Sequence, residues 1–141
     1  MGNESNTKRI VMVDDDRDDL FLTKISLRKS SVPVDFVGLN SGKELFDYIK
    51  NRGIGSIDVL LLDINMPVQS GHDILLKLSK YPHFEDIKVV MFSTSKKVDD
   101  RLDSLRMGAL DFMIKPSTHP EIANFLSHIG ELLKSKTLQA A

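Results

Sequence analysis

Cysteine is absent from the 141 residues. That excludes disulfides, thiol catalysis and cysteine-ligated zinc, and it fits a reducing interior. A surplus of charge is missing too: 19 Lys and Arg stand against 20 Asp and Glu, for a net charge of −1. No general pull toward nucleic acid or anionic membrane is expected. No apolar run approaches the roughly 20 residues that span a bilayer, and the polar start Met1–Thr7 lacks a signal-peptide core. Gly2 follows Met1, but Asn6 stands where N-myristoylation wants Ser or Thr. The cytoplasm is the expected location. His72, His83, His119 and His128 show no metal-ligand spacing and read as surface or loop residues. Gly53 and Gly55 lack the rest of a dinucleotide fingerprint.

What is present is an ordinary globular balance, 41% hydrophobic and 28% charged, at a length typical of one domain. Five short apolar runs stand out: Arg9–Val13, Val34–Leu39, Val59–Leu62, Lys88–Phe92 and Asp111–Ile114. Most are continuous rather than alternating, as in strands covered on both faces. Helical spacing fills the intervals. It is clearest at Ile122, Phe125, Leu126, Ile129, Leu132 and Leu133, and less regular at Leu20, Ile25 and Leu27. Ser41 with Glu44, Ser70 with Asp73 and Thr118 with Glu121 match capping boxes. Gly38 and Gly108 are expected to break elements. Strand and helix alternate five times, which predicts a doubly wound parallel α/β sandwich in a single domain. The first seven residues and the tail from about Ser135 read as unstructured.

In such sheets ligands sit beyond the carboxyl ends of the strands. Asp14, Asp15 and Asp16 follow the first run, Asp63 the third, Ser93 and Thr94 the fourth, and Lys115 and Pro116 the fifth. Carboxylates about 4 Å apart repel by roughly 4 kcal/mol at an effective dielectric near 20, so the cluster must take up protons or a cation. Oxygen ligands without cysteine favour Mg2+. A free carboxylate beside a metal can act as a nucleophile toward phosphorus. Lys115 and Ser93 could stabilise the transferred group.

The segments IVMVDDD, VLLLDINMP, VVMFSTS and DFMIKP, in this order, resemble the receiver domain of two-component response regulators. The similarity runs from about Lys8 to Lys134. Ser93 lies 30 positions after Asp63, and Lys115 lies 22 after Ser93, similar to the chemotaxis-type receiver. That resemblance implies a flavodoxin-like, three-layer fold with strand order 2-1-3-4-5 and five helices. It also implies Asp63 as phosphoacceptor, with Mg2+ held directly by Asp15, mostly through water by Asp14, and by Asp63 and the Asn65 backbone carbonyl. Ser93 matches the switch hydroxyl, Lys115 the phosphate-pairing lysine, Phe112 the aromatic switch, and Lys115–Pro116 the family's cis peptide. The donor would be a sensor histidine kinase or a histidine phosphotransfer protein. Output would pass through the face of the fourth helix, fifth strand and fifth helix, with Lys97, Arg101, Leu105 and Phe112 as candidate contacts. The same face can mediate homodimerisation. On this reading the chain is a switch that catalyses only its own phosphorylation and dephosphorylation.

Some positions depart from the pattern. Ser70–Gly71 stands where Asp–Gly is frequent, which bears on loop capping. Asp16 adds a third acid near the site and could alter metal affinity. Asn65 and Ser95 occupy positions that tune dephosphorylation in the family. Asp18 and Asp19 read as solvated helix-start acids, each favourable by about 0.3–1 kcal/mol. An EF-hand is excluded because Asp14–Asp19 lacks the loop glycine and closing Glu. Three other functions stay open: a phosphorelay intermediate, a binding module independent of phosphate, and a small aspartyl-phosphate hydrolase of the haloacid dehalogenase type. That hydrolase pattern wants Thr or Val where this chain has Asp18.

Overall fold

Buried parallel strands need apolar side chains on both faces, and the alternation of the pleat sorts them into two layers. A computed structural model describes residues 7–30, 33–94, 98–116 and 118–134, with nothing said of the side chains of Val98 and Asp99. The expected tails, apart from Thr7, and the candidate residues Ser95 and Lys97 lie outside the described residues. The strands are β1 Lys8–Val13, β2 Val34–Leu39, β3 Val59–Asp63, β4 Lys88–Ser93 and β5 Asp111–Ile114. They form one parallel sheet in the order β2-β1-β3-β4-β5. The helices are α1 Arg17–Lys29, α2 Gly42–Arg52, α3 Gly71–Leu78, α4 Val98–Arg106 and α5 His119–Lys134. No described helix is long and apolar enough to cross a membrane.

Val11, Val13, Leu60, Leu62, Val89 and Met91 point to one side, where Leu45 and Ile49 of α2 and Ile74, Leu75 and Leu78 of α3 cover them. Their neighbours Ile10, Met12, Val59, Leu61, Val90 and Phe92 point to the other. There Leu27 of α1 and Phe125, Ile129 and Leu133 of α5 close the layer. The continuous apolar runs are thus two interleaved faces, each with its own helices.

Helix starts follow the capping residues. Ser41 Oγ accepts from the Glu44 amide, Ser70 Oγ from Asp73 and Thr118 Oγ1 from Glu121. Gly108 follows α4 with φ +106°, the left-handed conformation that glycine tolerates at a helix end. Gly38 does not break its element. It lies inside β2, paired with Met12 of β1, where an added Cβ would press on Phe36 and Leu20 at 3.3–3.4 Å. Two histidines depart from the surface reading. His72 is half-buried on α3 and meets Ser104 Oγ of α4 at 2.9 Å, and His128 of α5 lies 2.8 Å from Asp111 of β5.

Candidate functional site

Each candidate residue is fixed by the backbone ladder just as its strand runs out. The Asp14 amide donates to Leu39 O at 3.0 Å, Ile64 after Asp63 donates to Phe92 O at 3.0 Å, and Lys115 donates to Ser93 O at 2.8 Å. Neighbouring strand ends therefore hold the site in register. Gly71 closes the loop after β3: its amide donates to Ile64 O at 3.0 Å. A Cβ there would collide with the Asp63 carbonyl and stand 2.9 Å from Ile64 Cα.

Asp14, Asp15 and Asp63 can each offer an oxygen within 4.8 Å of the others. Asp14 and Asp63 are buried at 0% and 2% exposure, whereas Asp15 faces solvent. Burial, reinforced by the charge of Asp14, pushes the Asp63 carboxyl up to about 6. Burial likewise raises Asp14, although Lys115 and the Asp16 amide oppose it. Lys115 Nζ lies 2.9 Å from Asp14 Oδ2, 2.8 Å from Asp19 Oδ2 and 3.4 Å from Asp63 Oδ2. Burial works to lower the lysine, but the hydrogen bond to Asp19, the close pairing with Asp14 and the charge of Asp63 outweigh it and hold Lys115 above its ordinary value. The ammonium also stands 5.5 Å above the Phe92 ring.

These carboxylates suit a hard divalent cation. Asp14 Oδ2 is fully buried and, despite the nearby ammonium, accepts no aligned hydrogen bond. One monovalent ammonium serves three acids where a dication would serve them better.

Of the two candidate hydroxyls, Ser93 is fully buried at the end of β4 and accepts from Asn65 Nδ2 at 2.6 Å, while Thr94 is exposed. The Asn65 amide itself donates to Asp63 Oδ1 at 3.2 Å. Asp16 is taken up by a different task. It caps α1, with Oδ1 accepting from Asp18 at 2.9 Å and Asp19 at 3.4 Å.

Three expectations need correction. The Lys115–Pro116 bond is trans, as no cis peptide occurs among the described residues. Trans is the intrinsic preference of X–Pro bonds by about 0.5–1 kcal/mol, and with the Lys115 amide on Ser93 O the side chain reaches the acids without a cis bond. Phe112 is not a surface contact. It is 7% exposed and packed in the layer of Met91 and Ala109; Ile114, on the same face of β5 but at its carboxyl end, is 38% exposed. Asp19 is no idle solvated acid, since it holds the lysine of the site. A signal for it existed in the sequence. Asp19, Leu22, Thr23 and Ser26 form an i, i+3, i+4, i+7 stripe on α1, and that stripe lines the cleft facing Phe125 and Leu126 of α5. The Asn65 side-chain bond to Ser93 was also missed, since two short polar residues 28 positions apart show no pattern.

Sheet order and rim together define a doubly wound α/β protein with an acidic, lysine-bearing pocket at the carboxyl ends of its strands. Comparison with known proteins narrows that class. The response regulator receiver domain matches residues 10–127, and this chain belongs to that family, which makes it a receiver of the two-component type. It is 31% identical over 128 residues to the transcriptional regulatory protein PrrA of Mycobacterium tuberculosis, covering 91% of this chain but 51% of PrrA. The chain thus spans about half the length of that relative. Against the response regulator Rcp1 of Synechocystis it is 24% identical, with both chains covered in full. The crystal structure of the phosphorylated cyanobacterial phytochrome response regulator RcpA superposes with TM-score 0.79 at 27% identity, covering 94% of this chain and 97% of that one. The Mn2+-bound form of Rcp1 shares the fold, with TM-score 0.76 at 24% identity and 93% and 98% covered.

Proposed function

We propose that this receiver takes a phosphoryl group onto Asp63 from a phosphohistidine of a sensor kinase or phosphotransfer protein, with Mg2+ held alongside. It works as a switch rather than a turnover enzyme. The observation that carries this reading is the convergence of Asp14, Asp15 and Asp63 within 4.8 Å beside a lysine 3.4 Å from Asp63 Oδ2. Asp14, Asp15, Asp63 and the Asn65 backbone carbonyl are the groups that would hold the cation. Mg2+ bound there supplies positive charge to the phosphoryl oxygens.

One Asp63 oxygen forms the O–P bond as the P–N bond of the phosphohistidine breaks, and that bonding pair returns to the imidazole nitrogen. Lys115 faces the charge spread over the phosphoryl oxygens. The Ser93 hydroxyl, now engaged by Asn65, turns to donate to one of them. Hydrolysis later returns the Asp63 carboxylate and inorganic phosphate. Phe112, buried on β5, repacks with Ser93, and this biases the face of α4, β5 and α5 between two arrangements. Arg101, Leu102, Leu105 and Ile114 are exposed on that face and offer a protein partner, or a second copy, a mixed apolar and basic surface.

Incubation with acetyl phosphate and Mg2+, read by intact-mass spectrometry, tests the reading. Wild-type protein is expected to gain one phosphoryl group per chain and Asp63→Asn none. Equal labelling of the variant, or catalytic turnover of a generic phosphomonoester, overturns it.

A further inference from the structure

Lys115 has two claims on its charge in the phosphoreceiver just proposed, and the following inference rests on that reading. In the structure its ammonium is not centred on Asp63. It is shared between Asp19 Oδ2 at 2.8 Å and Asp14 Oδ2 at 2.9 Å, with Asp63 Oδ2 farther off at 3.4 Å. Asp19 belongs to α1, away from the strand ends, and stands at the mouth of the cleft between α1 and α5. Met12, Phe92, Pro116 and Phe125 give that cleft apolar walls. The pair is largely sheltered, with side-chain exposures of 15% for Lys115 and 34% for Asp19. Apolar walls weaken solvent screening and so strengthen the pull of Asp19 on the ammonium.

The geometry points to Asp19 as a positioning residue that draws Lys115 toward α1 and competes with the phosphoryl group for it. Two consequences of opposite sign follow. Before phosphorylation, Asp19 keeps the ammonium from settling wholly on Asp14 and Asp63, which leaves those carboxylates more open to a divalent cation. After phosphorylation, the ammonium must leave Asp19 to meet the phosphoryl oxygens, and this costs the phosphorylated state part of its stabilisation. Removing the charge of Asp19 should therefore weaken cation binding and tighten binding of a phosphoryl mimic. A general loss of structure would weaken both.

The test compares Asp19→Asn with Asp18→Asn, which removes one charge from the same helical turn without touching Lys115. Mg2+ binding alone is measured by calorimetry, and beryllofluoride binding at saturating Mg2+ by amide chemical shifts. For an ion pair of this exposure, Asp19→Asn is expected to weaken Mg2+ by about threefold and to tighten beryllofluoride by about threefold. Asp18→Asn should stay within about twofold of wild type in both. Asp19→Glu, which restores the charge, should bring both constants back toward wild type. Shifts of the same sign for both ligands, an Asp19→Asn indistinguishable from Asp18→Asn, or no recovery in Asp19→Glu overturn the proposal while leaving the phosphoreceiver intact. Wild-type protein that binds no beryllofluoride with Mg2+ would end both.

Discussion

Neutralising Asp63 should stabilise this protein at alkaline pH while abolishing its phosphorylation. The Asp63 carboxyl moves from an ordinary 3.8 to about 6 on folding, through burial first and the charge of Asp14 second. At 1.36 kcal/mol per tenfold, that corresponds to about 3 kcal/mol of strain in the ionised native state. Two effects reduce what Asp63→Asn recovers. Asp14 and Asp63 share their protons, so part of the strain passes to Asp14. The amide also gives up the attraction between Oδ2 and Lys115 at 3.4 Å. A gain of about 1–2 kcal/mol remains, or roughly 4–8 °C in Tm for a chain of this size.

The pH dependence identifies the cause. A folded pKa above the unfolded one means that the native state binds more protons between 3.8 and about 6. The carboxyl's favourable contribution is complete below the lower value and is lost as pH rises through the upper one. Thermal melts of wild type and variant without divalent cations should therefore diverge from pH 4.5 to pH 8. Millimolar Mg2+ at pH 8 should narrow the gap by stabilising only wild type. A gap that is constant across pH, or a variant less stable than wild type at pH 8, refutes the reasoning.

Other perturbations separate the parts of the site. Lys115→Met leaves buried acids without their cation and should cost about 3 kcal/mol at pH 8 without Mg2+. The loss should be smaller at pH 5, where Asp63 is protonated, as urea unfolding at both values would show. Gly71→Ala forces a Cβ against the Asp63 carbonyl and should cost about 1–3 kcal/mol; acetyl phosphate labelling should slow with it. Ser41→Ala removes only the α2 cap and should cost about 1 kcal/mol in urea unfolding, with the labelling rate unchanged.

The sheet was legible in the sequence because its strands are covered on both sides. A run such as Val59–Leu62 has no solvent face and cannot be mistaken for an amphipathic helix of the same length. The rim was legible for a related reason: a charge that ends such a run, as Asp63 and Asp14 do, has nowhere to go except the crevice beyond the strand. Asp19 was not legible in the same way. Its side chain finds Lys115 across 96 positions, and a first-turn acid is equally explained by the helix dipole. Only the phase of the helix distinguishes Asp19, turned toward α5, from Asp18, turned to solvent. Phe112 failed for want of phase as well. Within a four-residue strand, the inward position depends on which residue pairs with Met91, and the local sequence does not say.

The physics of the rim explains why a fold with so well-filled a core keeps an unfavourable cluster at its edge. Leu60, Leu61 and Leu62, all fully buried, fix β3 so firmly that Asp63 cannot swing out to water, and Asp14 is held in the same way behind Met12 and Val13. Proteins of this size fold with only about 5–15 kcal/mol to spare, so a strain near 3 kcal/mol is a substantial share. A dication held among these carboxylates would make it tolerable by relieving it, and that relief would favour cation binding. With one ammonium divided among three acids, the balance is set by distances of a few tenths of an ångström. On the proposal above, moving a single negative charge, whether onto Asp63 as phosphate or away from Asp19 by substitution, would then be enough to relocate Lys115.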